Sequence, residues 1–75
     1  MDTRLPEVVG IICELGGLAK LDPDQDFYEA GVSSVQSLPL LMQIEDNYSI
    51  SIPDERFTEI RTARQLSALV EELAA

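Results

Sequence analysis

Histidine and tryptophan are absent from this sequence, and it has a single cysteine, Cys13. The absence of histidine excludes Ser–His and Cys–His nucleophilic catalysis and every metal site that needs an imidazole ligand. One cysteine cannot form an internal disulfide, so no disulfide framework supports the fold. No apolar run approaches the roughly 20 residues of a membrane span, and we expect neither a signal segment nor a membrane-spanning helix.

Basic side chains are scarce: five lysines and arginines face 14 acidic residues, which gives a formal charge of −9. This balance excludes nucleic acids and anionic membranes as main partners, because both are bound through Lys and Arg. Residues 1–55 hold eleven acidic and two basic side chains, whereas residues 56–75 hold three of each. We therefore expect a basic partner protein to dock on the first three-quarters of the chain, and salt to stabilise the fold.

Length and composition indicate one folded domain. The 75 residues are 45% hydrophobic and 25% charged, close to the average for globular proteins, so we predict a single domain over residues 1–75. Apolar residues recur at helical spacing over residues 5–15, and Gly16 and Gly17 end this helix. Residues 17–33 then predict a long connection, with Phe27 anchoring it to the core and Gly31 at a position that favours a positive φ.

A second helix is predicted from Ser33 and Ser34 to about Asn47, with either serine as its N-cap. Pro39 lies inside this helix, so we expect a kink or a loosened first turn between Val35 and Pro39. Beyond it, residues 49–52 predict an extended linker and residues 53–60 a short helical turn.

The last helix opens on Thr62 and Gln65, which have the spacing of a capping box. Its apolar face consists of Leu66, Leu69, Val70 and Leu73. Together the segments predict an all-α fold: a small antiparallel bundle of three main helices plus one short helix, with a long first loop.

Three aspartates of the long connection alternate like the start of a calcium loop. Asp22, Asp24 and Asp26 match its first positions, but Phe27 occupies the glycine position and Ser33 the position of the final glutamate. A solvated acidic loop is therefore favoured, and we predict no metal site.

Other reactive side chains have ordinary structural explanations. Cys13 lies beside the apolar face of the first helix, where a lone cysteine packs as a small hydrophobic residue. Neighbouring acids such as Glu45 and Asp46 point apart on a helix, which indicates a solvated face rather than an acid–base pair.

Ser33 and Ser34 follow a glycine at a predicted helix start, where an exposed hydroxyl lies near N–H groups that favour a phosphate ester. The segment from Asp26 to Val35 reads Asp-Phe-Tyr-Glu-Ala-Gly-Val-Ser-Ser-Val. It resembles the pattern Phe-x-x-x-Gly-x-Asp-Ser-Leu of the acyl and peptidyl carrier protein family. The resemblance continues through residues 40–45 and 50–55 and covers essentially the whole chain.

This resemblance implies that Ser34 carries 4'-phosphopantetheine, transferred from coenzyme A by a Mg²⁺-dependent phosphopantetheinyl transferase. The thiol of the arm would hold an acyl or aminoacyl group as a thioester, loaded by a ligase or acyltransferase. Downstream synthases of polyketide, nonribosomal peptide or specialised acyl metabolism would receive it. The chain would then be a non-catalytic, monomeric carrier of the cytoplasm, with reactive chemistry on the arm and on partner enzymes.

The sequence departs from the family pattern at three positions. Ser33 stands where the family usually has Asp, and we expect it to cap the helix and orient the ester. Gln36 and Pro39 stand where fatty-acid carriers often have acids. A Ser-Ser motif resembles stand-alone carriers loaded by dedicated ligases, including aminoacyl carriers and carriers of unusual polyketide extender units.

Partner docking is expected on the second helix, around the attachment point. Val35, Leu38 and Met42 would line the contact surface, and Glu45 and Asp46 would meet basic residues of the partner. The alternative that Ser33 leaves open is an acidic helical protein-interaction module that never receives a cofactor.

Overall fold

The computed structural model describes residues 4–74, which form helices and no β-strand. The elements are α1 (Arg4–Gly16), α2 (Phe27–Ala30), a 3-10 helix (Ser34–Gln36), α3 (Ser37–Tyr48), α4 (Asp54–Phe57) and α5 (Ala63–Ala74). The predicted all-α bundle with three main helices is confirmed. None of the helices within residues 4–74 combines the length and apolar character needed to cross a bilayer.

Helices α1 and α3 run antiparallel, since hydrogen bonds join their opposite ends. The Tyr48 hydroxyl at the end of α3 donates to Glu7 Oε1 near the start of α1, at 2.8 Å. At the other end, Gln36 Nε2 donates to the carbonyl oxygen of Leu15 at 2.9 Å. Burial, together with the neighbouring Glu7 carboxylate, raises the pKa of Tyr48 to about 12, so its hydroxyl keeps the donated proton at neutral pH.

Glycines follow α1 and α2, and the sequence predicts the end of α1 and the positive φ of Gly31. Gly17 has φ 69°, and the N–H of Leu18 donates to the carbonyl oxygen of Cys13 at 2.9 Å, which closes the last turn of α1. Gly31 has φ 133° and follows α2. A residue with a Cβ rarely adopts either conformation.

The core lies between the three main helices and is completed by anchors from the connections. Phe27 is fully buried, which confirms its predicted role as the anchor of the long first loop. Each buried Val, Leu, Ile or Phe side chain of the core contributes about 1.5–3 kcal/mol relative to an exposed position, which is the main stabilisation of a fold without disulfide or metal. The buried hydrophobic residues are Val8, Ile12, Leu21, Phe27, Val32, Leu40, Leu41, Ile44, Ile52, Phe57, Ile60, Ala63, Leu66, Leu69 and Val70.

The long first loop contains a helical turn, α2, that the sequence reading treated as part of a structureless connection. Asp26 is the N-cap of α2, because its Oδ1 accepts the N–H groups of Tyr28 and Glu29 at 2.9 and 3.2 Å. The sequence pattern placed Asp26 in a solvated acidic loop, although an Asp directly before an apolar residue is also a helix-start signal.

Contacts with the start of α5 hold this loop in place. The N–H of Phe27 donates to the carbonyl oxygen of Arg61 at 2.8 Å. The Arg61 side chain pairs with Asp26, and Arg64 Nε lies 2.7 Å from Asp24 Oδ1. The acidic loop is therefore partly neutralised by arginines from the C-terminal part of the chain.

The second main helix begins with a change of helix type. Residues 34–36 form a 3-10 helix, and α-helical geometry starts only at Ser37. Pro39 has no N–H to donate to the carbonyl of Val35, as a continuous α-helix from Ser34 would require. The loosened first turn that Pro39 predicted is confirmed, and the α-helix starts later than predicted for the same reason.

The connection from α3 to α5 is extended and then turns. Ser49 ends α3 with φ 55°, and Ile52 is buried, as predicted for an inward-facing linker residue. Before α5, Thr62 Oγ1 accepts the N–H of Gln65 at 3.1 Å, and Gln65 Oε1 accepts the N–H of Thr62 at 3.2 Å. The predicted capping box is confirmed.

Candidate functional site

Ser34 is the first residue of the 3-10 helix, and its side chain is exposed. Its carbonyl oxygen accepts the Ser37 hydroxyl at 2.7 Å, which fixes its backbone on the C-terminal side. Within residues 4–74 the Ser34 hydroxyl itself has no hydrogen-bond partner. An exposed hydroxyl on a fixed backbone can be reached by an enzyme and esterified.

Ser33 caps this helix, as the sequence predicts. Its backbone is extended, with φ −84° and ψ 158°, and its Oγ accepts the N–H of Val35 at 3.2 Å. In return, Gln36 Oε1 accepts the N–H of Ser33 at 2.8 Å. This reciprocal pair is a capping box, which satisfies N–H groups that have no partner within the helix. A neutral serine thus provides the cap where the family pattern has an aspartate.

Gln36 is a residue of the site that the sequence reading treated only as a missing acid. Its side-chain oxygen binds Ser33, while its side-chain nitrogen donates to Leu15 at the end of α1. The pattern Ser-x-x-Gln could have identified the first contact, because it is the capping-box signature. No local pattern could identify the second, which depends on how α1 packs against α3.

An exposed apolar surface follows Ser34 along the chain. Val35, Leu38 and Met42 are 82%, 61% and 60% exposed, far more than any core residue. Their spacing of three and four residues places them on one side of the 3-10 helix and α3. We call these three residues the apolar patch. Exposed apolar side chains grouped in this way are typical of interaction sites.

The two acids of the predicted docking surface differ in their surroundings. Asp46 is exposed. Glu45 is half-buried, and its Oε2 accepts the N–H of Ile52 at 2.7 Å, so this carboxylate also holds the linker after α3. Both acids border an open depression of about 630 Å³ whose lining also includes Pro39 and Met42.

The aspartates of the first loop serve the fold. Hydrogen bonding to Arg64 lowers the pKa of Asp24, and hydrogen bonding to Arg61 lowers that of Asp26. Across residues 4–74, no three side chains of the types His, Cys, Asp and Glu come together as a metal site. The predicted solvated acidic loop fits these contacts better than a calcium loop does.

Comparison with known proteins identifies a family. A family model described as "Phosphopantetheine attachment site" matches residues 6–70. The chain is 30% identical over 70 residues to acyl carrier protein 5, chloroplastic, of Arabidopsis thaliana, which covers 93% of this chain and 50% of that protein. It is 36% identical over 45 residues to a probable acyl carrier protein of Caulobacter vibrioides, which covers 60% of this chain and 52% of that protein.

The fold comparison agrees. The crystal structure of an acyl carrier protein from Thermotoga maritima superposes with a TM-score of 0.77 at 29% identity, covering 93% of this chain and 85% of that chain. The chain spans about half the length of the two relatives matched by sequence. The family match, the sequence relatives and the fold together show that the chain belongs to the acyl carrier protein family, whose phosphopantetheine-binding domain carries covalently attached 4'-phosphopantetheine.

Proposed function

We propose that this protein holds an acyl or aminoacyl group on a phosphopantetheine arm attached to Ser34. The observation that carries the proposal is the exposed Ser34 hydroxyl at the start of a capped helix, inside a chain that matches the phosphopantetheine attachment family. When bound, the arm supplies a thiol that forms a thioester with the cargo. Members of this family are carriers rather than catalysts, and we propose that this chain likewise contributes no catalytic residue.

The residues around Ser34 fit such a group. The capping contacts of Ser33 and Gln36 do not involve the exposed Ser34 side chain, so the hydroxyl is available while the backbone is held. A phosphodiester there would lie by the N-terminal end of the helix, where negative charge is favourable. No carboxylate lies between residues 30 and 44 of the chain to repel it.

We propose that the apolar patch is the docking surface for the transferase, the loading ligase or acyltransferase, and the downstream synthase. Val35, Leu38 and Met42 provide apolar contact, and Asp46 with the second oxygen of Glu45 provides charge for basic partner residues. Because residues 30–44 contain no acid, and Asp54 is the one acid of the depression that also contains Ser37 and Leu38, we expect recognition there to depend more on apolar contact than on charge. This favours a dedicated ligase and a specialised pathway, of polyketide, nonribosomal peptide or related acyl metabolism.

We also propose that the protein acts as a monomer in the cytoplasm. The excess of acidic side chains keeps copies of the chain apart through charge repulsion. One sequence relative carries the description chloroplastic, so the compartment differs among related proteins.

Modification of Ser34 is tested by incubating the protein with coenzyme A, Mg²⁺ and a phosphopantetheinyl transferase of broad specificity, followed by intact mass spectrometry. We expect the mass of one phosphopantetheine to be added to the wild type and to Ser33→Ala, and none to Ser34→Ala. Circular dichroism of Ser34→Ala shows whether that variant is folded.

Absence of the adduct from the wild type with several transferases would favour the interaction module without a cofactor. An adduct on Ser34→Ala would place the attachment at another residue.

A further inference from the structure

The Gln36 side chain makes two hydrogen bonds, one with the residue directly before Ser34 and one with the end of α1. The side-chain oxygen accepts the N–H of Ser33 at 2.8 Å, and the side-chain nitrogen donates to the Leu15 carbonyl at 2.9 Å. Leu15 belongs to the last turn of α1, where carbonyls lack partners within the helix. The half-buried amide therefore ties the residue before Ser34 to the end of α1.

A second contact brings the same two segments together. Val32 is 4% exposed and packs against the end of α1 so closely that a Cβ built on Gly16 would lie 2.8 Å from Val32 Cγ2. Val32 directly precedes Ser33, so packing and hydrogen bonding hold neighbouring residues. The turn that contains Ser34 is therefore held against α1 as well as within its own helix.

We propose that Gln36 is a positioning residue for modification of Ser34: its two-sided amide sets the orientation of the attachment turn relative to α1. The inference rests on the proposed function and adds a residue to it. Only an amide can make both contacts at neutral pH, because the carboxylate of a glutamate accepts hydrogen bonds but cannot donate one to Leu15.

The step that depends on this orientation is the transfer itself. A bond forms between Ser34 Oγ and the phosphorus of the pantetheine phosphate, and the pyrophosphate P–O bond of coenzyme A breaks. Adenosine bisphosphate leaves, and the hydroxyl proton passes to the transferase. A nucleophile whose direction varies reaches the reactive geometry less often, so kcat falls even when the complex forms normally.

The proposal is tested with Gln36→Met, which keeps the length of the side chain and removes both hydrogen bonds. We expect kcat for transfer to fall about tenfold with little change in KM, because the apolar patch is unaltered. Amide hydrogen exchange at Ser33 should become faster at the same time. Gln25→Met is the matched control, since Gln25 is exposed in the first loop and, within residues 4–74, its side chain takes part in one long hydrogen bond, from the N–H of Asp22 at 3.5 Å.

Each outcome is decisive. An unchanged kcat in folded Gln36→Met, or an equal fall in Gln25→Met, would overturn the positioning role. If Gln36→Met does not fold, Gln36→Glu replaces it, because glutamate keeps the acceptor for Ser33 and loses the donor for Leu15. A kcat for Gln36→Glu equal to that of the wild type would then overturn the proposal. A wild type that is never modified would instead contradict the proposed function.

Discussion

The two glycines within α1 have opposite surroundings. A Cβ built on Gly16 would lie 2.8 Å from Val32 Cγ2, whereas one built on Gly10 would meet nothing within 4 Å. We expect Gly16→Ala to destabilise the protein by about 1–3 kcal/mol, because the attachment segment must move away from α1. Gly10→Ala should stabilise it by about 0.5–1 kcal/mol, because alanine is the better helix former.

Urea denaturation of both variants measures these changes in the free energy of unfolding. Equal effects of the two substitutions would show that Val32 adapts without cost, and that the contact with α1 does not constrain the attachment segment.

The Ser33 cap gives a second residue-scale prediction. Ser33→Ala removes the acceptor for the Val35 N–H but leaves the Ser33 N–H bonded to Gln36. We expect a loss of about 1 kcal/mol in the free energy of unfolding, measured by urea denaturation. Ser33→Asp is the control, since aspartate restores the acceptor and should keep the wild-type stability. A full loss of folding in Ser33→Ala would contradict the view that the two halves of the cap are independent.

Residue roles were predictable where the signal is local. Capping by Ser33 and the conformation of Gly31 follow from neighbouring residues, and the structure confirms both. The contact from Gln36 to Leu15 spans 21 positions and depends on packing of α1 on α3, which periodicity alone does not specify. Glu45 was expected to face only a partner, and its bond to Ile52 depends on the path of the linker after α3.

At the scale of elements, the ion pairs that join the first loop to Arg61 and Arg64 require ionised aspartates. Hydrogen bonds to Arg64 and Arg61 lower the pKa values of Asp24 and Asp26 in the folded state. The folded protein therefore binds fewer protons at these groups than the unfolded chain does. Stability from these pairs is complete above the ordinary aspartate pKa of about 4 and is lost as the pH falls through the lowered folded values.

We therefore expect acid to destabilise the wild type more than the double variant Asp24→Asn/Asp26→Asn. Asparagine keeps the N-cap acceptor of α2 but does not titrate. Urea denaturation between about pH 5 and pH 3 measures the difference between the two free energies of unfolding. Parallel curves for the two proteins would show that the ion pairs do not contribute.

Pro39 determines where α-helical geometry begins in the second main helix. Pro39→Glu restores an N–H that can donate to the Val35 carbonyl and places a negative charge in the first turn of α3, where it is favourable. We expect a gain of about 0.5–1 kcal/mol in the free energy of unfolding, measured with urea. Gln43→Glu adds the same charge beyond the first turn and should give a smaller gain. A loss of stability in Pro39→Glu would mean that the 3-10 turn has another cause.

The periodicity of apolar residues predicted which segments are helical more accurately than it predicted where each helix begins and ends. The apolar repeats of α1 and α5 indicated both helices correctly, because each buries one continuous face. The turn α2 was missed because four residues are too few for a period. Its stability comes from the Asp26 cap and from burial of Phe27, and the second of these depends on the rest of the fold.

In the folded molecule, arginines from the C-terminal part of the chain lie beside acids that are far from them in the sequence. All three ion pairs that the structure shows within residues 4–74 use arginines of the last 20 residues. Two of them, Arg61 with Asp26 and Arg64 with Asp24, neutralise aspartates of the first loop. The acids of α3, Glu45 and Asp46, lie outside these three pairs.

Salt acts on this charge in two opposing ways. It weakens the three ion pairs, which the solvent already screens, and it screens the repulsion within a chain of charge −9. The molecule measures 30 × 28 × 19 Å, comparable to the screening length of about 30 Å at 0.01 M salt, so at that concentration acids repel one another across the whole fold. At 0.15 M the length is about 8 Å, and only neighbouring charges interact.

Relief of the repulsion involves many more pairs of charges than the three attractions, so we expect the Tm to rise between these two NaCl concentrations. Differential scanning calorimetry measures the change. The double variant Glu59→Gln/Glu71→Gln carries two fewer negative charges at exposed positions and should show a smaller rise. A Tm that falls with salt would mean that the arginine pairs outweigh the net repulsion, and that the loop contacts stabilise the fold more than exposed ion pairs ordinarily do.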